Sequence, residues 1–312
     1  MSAEPILAVD TLSVRYGRAI VAVDRASLSI APGEILGLVG ESGCGKTTLG
    51  KAVAGLLRPS AGTIRLEGEN TAEIARERRA RRVQMFFQDP VASLSPRLSI
   101  GRLLAEPLAI HGLDREGHWP RALDLLSELG LPRSVLGKYP HEVSNGQARR
   151  IGIARALLLE PALVVADEPT AGLDVSAQGD LLNLLLRLRQ ERGLAYLLIS
   201  HNLDAVRRVA DRIAVMYLGE IVETGLTRAI FDAPAHPYTE ALLSARPTLD
   251  PARRAKRIVL EGEVPSPLNP PSGCRFHTRC PKAQARCRAD APRLDAERHT
   301  DRTVACHFPA NR

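Results

Sequence analysis

Short apolar segments alternate along this chain with stretches whose apolar residues recur at helical spacing. Alternation of strand-like and helix-like segments predicts an α/β protein built around a largely parallel sheet. Charged and turn-forming residues bound each apolar segment, as expected for buried strands of ordinary length. The predicted buried strands lie at residues 35–39, 83–87, 162–166 and 195–200, and the predicted helices lie at 46–57, 145–159 and 175–192.

Two other regions depart from this core pattern. Residues 6–30 combine alternation with β-branched clusters, which predicts strands of a half-exposed antiparallel sheet. Residues 99–138 carry leucine and isoleucine at helical spacing around a Gly-Leu-Pro break, which predicts helices. We therefore expect an antiparallel β subdomain before the core and a helical subdomain, at about residues 89–160, inserted into it.

The first buried strand leads directly into a glycine-rich loop that predicts nucleotide binding. Gly40, Gly45, Lys46 and Thr47 match the phosphate-binding pattern G-x-x-x-x-G-K-[ST]. Glycines let backbone N–H groups turn inward around a phosphate, while Lys46 supplies positive charge and Thr47 supplies an oxygen for Mg²⁺. The alternative is a glycine-rich turn with a chance lysine, but the strand before the loop and the helix after it favour a nucleotide site.

Polar side chains follow the other predicted core strands. Asp167 can hold Mg²⁺ through water, and Glu168 can polarise a water molecule for attack on the γ-phosphate. Gln88 ends another strand, where its amide can hold Mg²⁺ or the attacking water. His201 follows the last of these strands. A lone histidine after a strand is more often structural, although the tip of a parallel strand in a nucleotide core favours a catalytic role.

Three further positions allow both a structural and a functional interpretation. Tyr16, in the predicted turn after the first strand, can stack on a purine base or pack on its own sheet. Ser144 opens the segment Ser-Asn-Gly-Gln before a predicted helix, and Asp174 precedes another helix. Serine and aspartate are favoured N-cap residues, so simple helix capping accounts for both of them without any further role.

Composition is that of an ordinary globular protein, and the excess charge is confined to one segment. Of 312 residues, 45% are hydrophobic and 25% are charged, and this length suits about two domains. The net charge of +7 belongs to residues 246–312, which hold 14 Lys and Arg against 7 Asp and Glu. A basic segment is compatible with nucleic-acid binding. Because Phe276 is the one aromatic residue between its cysteines, we favour a solvated or partner-facing surface.

Membrane-spanning and export signals are missing from the sequence pattern. No apolar run approaches the roughly 18 residues that a membrane span needs. The N-terminal residues lack a basic-then-apolar signal, so we expect no export. Any role at a membrane is therefore expected to come through partners.

Four of the five cysteines lie in the basic segment. Cys274, Cys280, Cys287 and Cys306 fall within the last 39 residues, whereas Cys44 lies in the phosphate loop. In a protein without an export signal, this favours metal or cluster ligation over disulfides. No C-x-x-C pair is present, which weakens a zinc-ribbon interpretation. Four thiolates can ligate a [4Fe–4S] cluster; zinc and reduced, unliganded cysteines stay open as alternatives.

The order of these motifs resembles that of the ATP-binding cassette (ABC) family of transport ATPases, over roughly residues 6–245. The resemblance implies a P-loop NTPase (RecA-like) core with an antiparallel β subdomain and an inserted α-helical subdomain. It implies ATP and Mg²⁺ as ligands and a head-to-tail dimer of cassettes. Each ATP would lie between one phosphate loop and the partner's signature motif, with Glu168 as general base and His201 in contact with the γ-phosphate.

The resemblance assigns the motif residues three roles. The residues implied in nucleotide binding are Tyr16, Gly40, Ser42, Gly43, Cys44, Gly45, Lys46, Thr47, Thr48, Ser144, Gly146, Gln147 and Asp174. Those implied in catalysis are Lys46, Gln88, Glu168 and His201, and those implied in Mg²⁺ binding are Thr47, Gln88 and Asp167.

A closer resemblance is to the ATPases of oligopeptide, dipeptide and nickel importers. It implies a nucleotide-binding domain at residues 1–245 and an extension at 246–312, whose four cysteines carry a [4Fe–4S] cluster in members resembling this chain. Such importers usually pair two different ATPases with two permeases and an extracytoplasmic binding protein, and residues 151–156 resemble the second ATPase. The segments that carry this resemblance are residues 88–90, 93–97, 139–142, 236–245 and 273–281.

The resemblance implies an ATPase that powers peptide import from the cytoplasmic face of the inner membrane, without nucleic acid as a partner. Nickel or another small solute is the alternative cargo. A soluble ABC ATPase acting on nucleic acid or ribosomes is a less favoured alternative, because no second cassette or coiled-coil insertion is visible. A subunit that binds ATP without hydrolysing it is disfavoured by the presence of Glu168 and His201.

One position departs from the family pattern. Asn145 stands where the signature motif usually has its first glycine. A side chain there is expected to restrict the backbone or to crowd the partner's γ-phosphate. We therefore predict an asymmetric heterodimer in which the partner's phosphate-loop site is the weaker one.

Overall fold

The computed structural model describes residues 4–17, 20–86, 93–246, 258–294 and 302–310. The strands in these ranges are β1 (Leu7–Tyr16), β2 (Ile20–Ile30), β3 (Ile35–Val39), β4 (Ala61–Leu66), β5 (Glu69–Asn70), β6 (Val83–Phe86), β7 (Leu163–Asp167), β8 (Ala195–Ile199), β9 (Arg212–Tyr217), β10 (Glu220–Leu226) and β11 (Arg302–Val304). The α-helices are α1 (Lys46–Val53), α2 (Arg76–Arg82), α3 (Ile100–Ile110), α4 (Arg115–Glu128), α5 (Asn145–Leu157), α6 (Val175–Arg192), α7 (Leu203–Val209), α8 (Thr227–Asp232), α9 (Pro237–Ser244) and α10 (Ala285–Ala289). Short 3-10 helices lie at Arg133–Gly137 and Pro140–Glu142.

A seven-stranded sheet in the order β11-β10-β9-β3-β8-β7-β6 forms the core. The strands from β9 to β6 pair in parallel, while β10 and β11 pair in antiparallel fashion. Every residue of β3, β7 and β8 is buried, as expected for strands covered on both faces. The α/β fold predicted from the sequence is confirmed, and the parallel order brings the carboxyl ends of β3, β7 and β8 to one edge.

The predicted strands of residues 6–30 are found as β1 and β2, which pair in antiparallel fashion. This second sheet has the order β2-β1-β4-β5 and covers one face of the core sheet. Leu36 and Leu38 of β3 point into the apolar cluster beneath it, whereas Ile35 and Val39 point into the helical cluster on the opposite face. Alternate residues of one strand thus hold both layers against the sheet.

The helical subdomain is made of α3, α4 and α5. Its apolar residues belong to the same core cluster as Leu181 and Leu185 of α6, so it packs directly on the core. The predicted helical stretch is interrupted between α3 and α4, where Gly112 has φ +61° and Asp114 caps α4 through the N–H groups of Glu116 and Gly117.

One predicted boundary is wrong. The helix after the phosphate loop ends at Val53, not at Leu57, and Pro59 does not end it. Gly55 has φ +76°, a left-handed backbone that glycine adopts without strain and that commonly closes a helix. The apolar residues beyond Val53 therefore belong to a turn.

The cysteine-bearing extension packs on the core. Strand β11 pairs with β10 at the edge of the core sheet. The Phe276 side chain is 1% exposed, and its ring centroid lies 5.2 Å from that of Tyr217 and 5.5 Å from that of Tyr238. Burial of a large aromatic side chain against the core provides a substantial apolar contact between the extension and the rest of the chain.

Candidate nucleotide-binding site

The phosphate loop joins the end of β3 to the start of α1. Lys46 is the first residue of α1 and is 7% exposed. Its ammonium group donates to the carbonyl oxygens of Gly40 at 2.8 Å and Glu41 at 2.9 Å. These bonds hold the charge inside the curve of the loop, beside the positive end of the helix dipole. The loop therefore has the electrostatic character of an anion site.

Two glycines of the loop are required by close packing. A Cβ atom at Gly40 would lie 2.2 Å from the carbonyl oxygen of Met216, and one at Gly45 would lie 2.2 Å from that of Ala22. Gly45 also has φ +108°, which side-chain-bearing residues rarely adopt. Close approach to the backbone of β9 and β2 therefore requires glycine at positions 40 and 45.

Thr47 and Asp167, two of the three residues predicted to hold Mg²⁺, lie side by side. The Thr47 hydroxyl donates to the Asp167 carboxylate at 3.2 Å. Burial raises the pKa of Asp167, and the Thr47 hydroxyl and nearby lysines oppose that shift. Hydroxyl and carboxylate oxygens are the hard donors that Mg²⁺ prefers, and it usually takes few protein ligands alongside phosphates and water. The pair fits such an ion. Gln88 lies outside the described residues.

Glu168 and His201 meet beside this pair. One oxygen of the Glu168 carboxylate accepts from the His201 backbone N–H at 3.0 Å and lies 2.8 Å from Nδ1 of its ring. The Glu168 side chain is 13% exposed, whereas that of His201 is 69% exposed. Glu168 has φ +49°, an uncommon backbone for a residue with a side chain. This turn aims the carboxylate towards the end of β8.

A cavity of about 570 Å³ is lined by Lys46, Thr47, Glu168 and His201, whereas Asp167 contacts Thr47 but does not itself line the cavity. Tyr16 borders it, 43% exposed, with its hydroxyl 3.3 Å from the Thr48 hydroxyl. This position leaves a ring face open to a base, although base stacking by Tyr16 stays a prediction. Pro267 of the extension also borders the cavity, and no pattern in the sequence marks it. The lining comprises Tyr16, Ile20, Val21, Ala22, Ser42, Gly43, Gly45, Lys46, Thr47, Thr48, Glu168, His201, Leu218, Gly219 and Pro267.

The signature residues are absent from this cavity lining and cap their own helix. The Ser144 hydroxyl accepts from the Gln147 N–H at 3.2 Å, and the Gln147 side chain accepts from the Ser144 N–H at 3.1 Å. Asp174 caps α6 by accepting from the Ala177 N–H at 2.9 Å. The lining of this cavity thus does not include Ser144, Gly146, Gln147 or Asp174, and their role at a nucleotide stays a prediction.

Asn145 is the first residue of α5 and has no positive φ. The expectation that its side chain restricts the backbone is therefore wrong, because an L residue adopts this helical conformation without strain. Crowding of a partner's γ-phosphate by the Asn145 side chain stays a prediction.

The four tail cysteines border a second, small pocket together with His236 and Phe276. All five cysteines are free, so no disulfide joins them. Burial, with a smaller contribution from the neighbouring cysteines, raises the pKa of Cys274 and of Cys306 to about 11. Grouped thiols with raised pKa values stay protonated at neutral pH unless a metal or cluster binds them.

The described side chains around this pocket are not arranged as ligands of a metal ion. Within the described residues, no group of three or more His, Cys, Asp or Glu side chains is placed to hold a metal ion. Zinc needs four ligands about 2 Å from one point. A [4Fe–4S] cluster instead takes four thiolates spread around a larger body. The placement of the four thiols in this structure therefore favours neither a cluster nor a zinc ion.

Known proteins share both parts of the chain. Residues 23–171 match the ABC transporter family model, and residues 222–287 match the model of the oligopeptide/dipeptide transporter C-terminal region. A protein of Sinorhizobium fredii, named a probable peptide ABC transporter ATP-binding protein, is 49% identical, covering 93% of this chain and 83% of its own. The dipeptide transport ATP-binding protein of Haemophilus influenzae is 46% identical, over 92% and 89% of the two chains.

Solved structures share the fold of the cassette. A Clostridium perfringens protein, cbiO1 of the ABC transporter complex cbiONQ, has a TM-score of 0.67 and 28% identity, over 73% of this chain and 91% of its own. A dimeric ATP-binding cassette in a post-hydrolysis state, bound to ADP and phosphate, has a TM-score of 0.63 and 26% identity, over 71% and 99%. Among the described residues, no helix is both long enough and apolar enough to cross a membrane.

Proposed function

The chain belongs to the ATP-binding subunits of ABC transporters, which are ATPases, and we propose that it hydrolyses ATP to power the import of di- and oligopeptides. The observation that carries the ATPase role is that Lys46, Thr47 and Glu168 line one cavity, with Asp167 hydrogen-bonded to Thr47. The peptide cargo is supported by the relatives' names and by the match of the extension to peptide transporters. Nickel or another small solute is the alternative cargo.

The geometry accounts for nucleotide binding. Lys46 and the N–H groups that open α1 face the position that the β- and γ-phosphates of ATP would occupy. Thr47 and Asp167 would hold Mg²⁺, which neutralises phosphate charge and orients the γ-phosphate when bound. The exposed ring of Tyr16 would stack on the adenine. Gln88 would contribute its amide to the same ion or to the attacking water.

Hydrolysis then depends on a positioned base. Glu168 would accept a proton from water as the water attacks the γ-phosphate. His201 fixes the orientation of this carboxylate through its N–H and its ring, and its exposed side chain is free to contact the γ-phosphate. Loss of ATP hydrolysis with retention of ATP binding in a Glu168→Gln variant tests this assignment.

We also propose that the site is completed by a second, different ATPase subunit. The support is that Ser144, Gly146, Gln147 and Asp174 are exposed or half-exposed and do not line the chain's own cavity. Residues 151–156 resemble the second ATPase type. Asn145 would crowd the γ-phosphate bound by the partner, which would make the partner's site the slower one. Replacing the catalytic glutamate of each subunit in turn, and comparing the two residual turnover rates, tests this; equal rates contradict it.

The four cysteines are proposed to hold a [4Fe–4S] cluster, with zinc as the alternative. The support is their position around one pocket of the extension, proposed here as residues 246–312, on a nucleotide-binding domain of residues 1–245. Iron, sulfide and zinc contents of anaerobically purified protein decide between the two. Replacement of Cys274, Cys280, Cys287 and Cys306 by serine should abolish the bound iron and sulfide, or the bound zinc. Cys44→Ser, in the phosphate loop, should leave the metal content unchanged.

The proposed setting is the cytoplasmic face of the inner membrane, with two permeases and an extracytoplasmic binding protein as partners. Purification of the complex, followed by peptide-stimulated ATPase measurements in proteoliposomes, tests both partners and cargo. Stimulation by nickel but not by peptides would favour the alternative cargo. Copurification with nucleic acid instead of permeases would favour a soluble ATPase and overturn the transport proposal.

A further inference from the structure

Arg279 of the cysteine-bearing extension contacts Glu41 of the phosphate loop. The Glu41 carboxylate pairs with both terminal nitrogens of Arg279, at 2.8 and 3.2 Å. The Arg279 side chain is 8% exposed and that of Glu41 is 28% exposed. A two-bond pair of arginine and carboxylate that is largely shielded from water has a defined geometry and a stronger interaction than a surface ion pair.

The backbone of Glu41 is fixed as firmly as its side chain. Its N–H donates to the Tyr238 hydroxyl at 2.8 Å. Its carbonyl oxygen accepts from the Lys46 ammonium at 2.9 Å. A displacement of Glu41 would therefore move an acceptor that holds the phosphate-binding lysine. Glu41 connects the Arg279 guanidinium to the Lys46 ammonium through a chain of direct contacts.

Arg279 in turn depends on the cysteine segment. It ends a turn between Cys274 and Cys280, and its N–H donates to the Phe276 carbonyl at 3.0 Å. Phe276 is buried against Tyr238, the same residue whose hydroxyl holds Glu41. At the start of this turn, Arg275 donates to the Leu218 carbonyl oxygen and pairs with Asp24. Both arginines of the turn thus bind residues of the core, and Leu218, one of the partners of Arg275, lines the nucleotide cavity.

We propose that Arg279 is a positioning residue for ATP binding, which couples the cysteine-bearing extension to the phosphate loop through Glu41. The proposal rests on the proposed ATP-binding function of the loop. Arg279 does not line the nucleotide cavity; it acts on Lys46 through the backbone of Glu41. Since coupling between two sites is reciprocal, bound ATP should also stabilise the turn that carries Cys274 and Cys280.

The effect of Arg279 on ATP binding is tested by equilibrium binding to the full-length chain, measured by displacement of a fluorescent ATP analogue. Arg279→Gln should weaken binding about tenfold, within the range of coupling between contacting residues. Glu41→Gln removes the same pair from the loop side and should weaken binding equally, and the double variant should show no further loss. Arg279→Lys keeps the charge without the planar two-bond geometry and should recover part of the affinity.

The matched control is Arg286→Gln, which removes one positive charge from the same extension. The Arg286 side chain is 64% exposed, and its ion-pair partner is Asp290 of the extension, 3.8 Å away. Its ATP affinity should equal that of the wild type. Because Glu41→Gln leaves the extension intact, it keeps the proposal testable even if Arg279→Gln disturbs the fold of the extension.

The reciprocal effect, stabilisation of the cysteine-bearing turn by bound ATP, is tested by the rate of cysteine alkylation. In cluster-free protein, saturating ATP should slow alkylation of Cys274 and Cys280 severalfold, and this protection should disappear in Arg279→Gln and Glu41→Gln. A merely structural salt bridge would not give nucleotide-dependent protection. Wild-type affinity in Arg279→Gln, or weakened binding in Arg279→Gln alone but not in Glu41→Gln, overturns the proposal while ATP binding by the wild type stands. Failure of the wild type to bind ATP would instead overturn the proposed function itself.

Discussion

His201 and Glu168 are joined by two contacts to a single carboxylate oxygen. The ring Nδ1 of His201 lies 2.8 Å from this oxygen, and the backbone N–H donates to it at 3.0 Å. The backbone contact persists whatever side chain stands at position 201, so the two contacts can be separated by mutation. The second carboxylate oxygen takes part in neither contact, which leaves it available to a water molecule.

Replacement of Glu168 by glutamine should abolish hydrolysis without abolishing ATP binding. The amide keeps nearly the same shape and an oxygen acceptor, but it cannot take up a proton from water. A loss of about 100-fold or more in steady-state ATPase rate is expected from removal of a general base. Phosphate release and equilibrium ATP binding measure the two effects. Glu191→Gln, an exposed carboxylate on α6, is the matched control and should behave as the wild type; an undiminished rate in Glu168→Gln would refute the mechanism.

His201→Ala should lower the rate less than Glu168→Gln does. The backbone N–H still holds one carboxylate oxygen, but the ring contact and any contact with the γ-phosphate are lost. A decrease of about tenfold or more, with ATP affinity nearly unchanged, is expected for loss of a group that acts mainly in the transition state. Single-turnover kinetics measure the chemical step directly. A large loss of ATP affinity instead would assign His201 to ground-state binding.

Two glycines of the phosphate loop should differ in their tolerance of alanine. At Gly45, a Cβ would lie 2.2 Å from the Ala22 carbonyl oxygen, whereas at Gly43 it would meet no atom within 4 Å. Both glycines have positive φ, so each alanine incurs backbone strain of about 1 kcal/mol. The clash at Gly45 adds about 1–3 kcal/mol. Urea unfolding without nucleotide measures the difference; equal destabilisation by both variants would show that the clash is relieved at no cost.

His236 should make the protein sensitive to mild acid. Burial lowers the pKa of His236 to about 3, from an ordinary value of 6.5. Below pH 6.5 the unfolded chain binds a proton that the folded chain excludes, so the free energy of unfolding falls as the pH falls from 6.5 towards 3. For one proton the slope approaches about 1.4 kcal/mol per pH unit.

His236→Asn is the test of this pH dependence. The ring Nδ1 of His236 accepts from the Tyr238 N–H at the start of α9, and an asparagine oxygen can replace that acceptor without titrating. Urea unfolding across this pH range should show a shallower slope in the variant, whatever its stability at neutral pH. An unchanged slope would assign the acid sensitivity to other groups.

Local sequence signals located most of the core. The apolar segments that became β3, β7 and β8 were identified to within a residue, because strands buried on both faces leave continuous apolar runs. The limits of α6 were identified because Asp174 caps its start and Gly193, with φ +65°, closes its end. The end of α1 differs from the prediction because Gly55 closes the helix before the chain reaches Pro59.

Contacts between distant segments were not visible in the sequence. Pro267 borders the nucleotide cavity, and Arg279 pairs with Glu41 across 238 positions. Arg279 lies in the segment 273–281, which carries the family resemblance, but that pattern does not show its contact with Glu41, and Pro267 belongs to no motif. The grouping of the four cysteines around one pocket likewise depends on how the extension folds back.

The three-residue strand β11 lies beside β10 at the outer margin of the core sheet. A long exposed edge strand would present unpaired backbone N–H and C=O groups to other chains. Proteins limit such contacts by, among other means, ending a sheet with a very short edge strand. A truncation that removes Arg302 and the residues after it would delete β11. The backbone groups of β10 would then be exposed, which would promote self-association. Expression plasmids for this protein should therefore keep its last residues intact and carry any affinity tag at the opposite terminus.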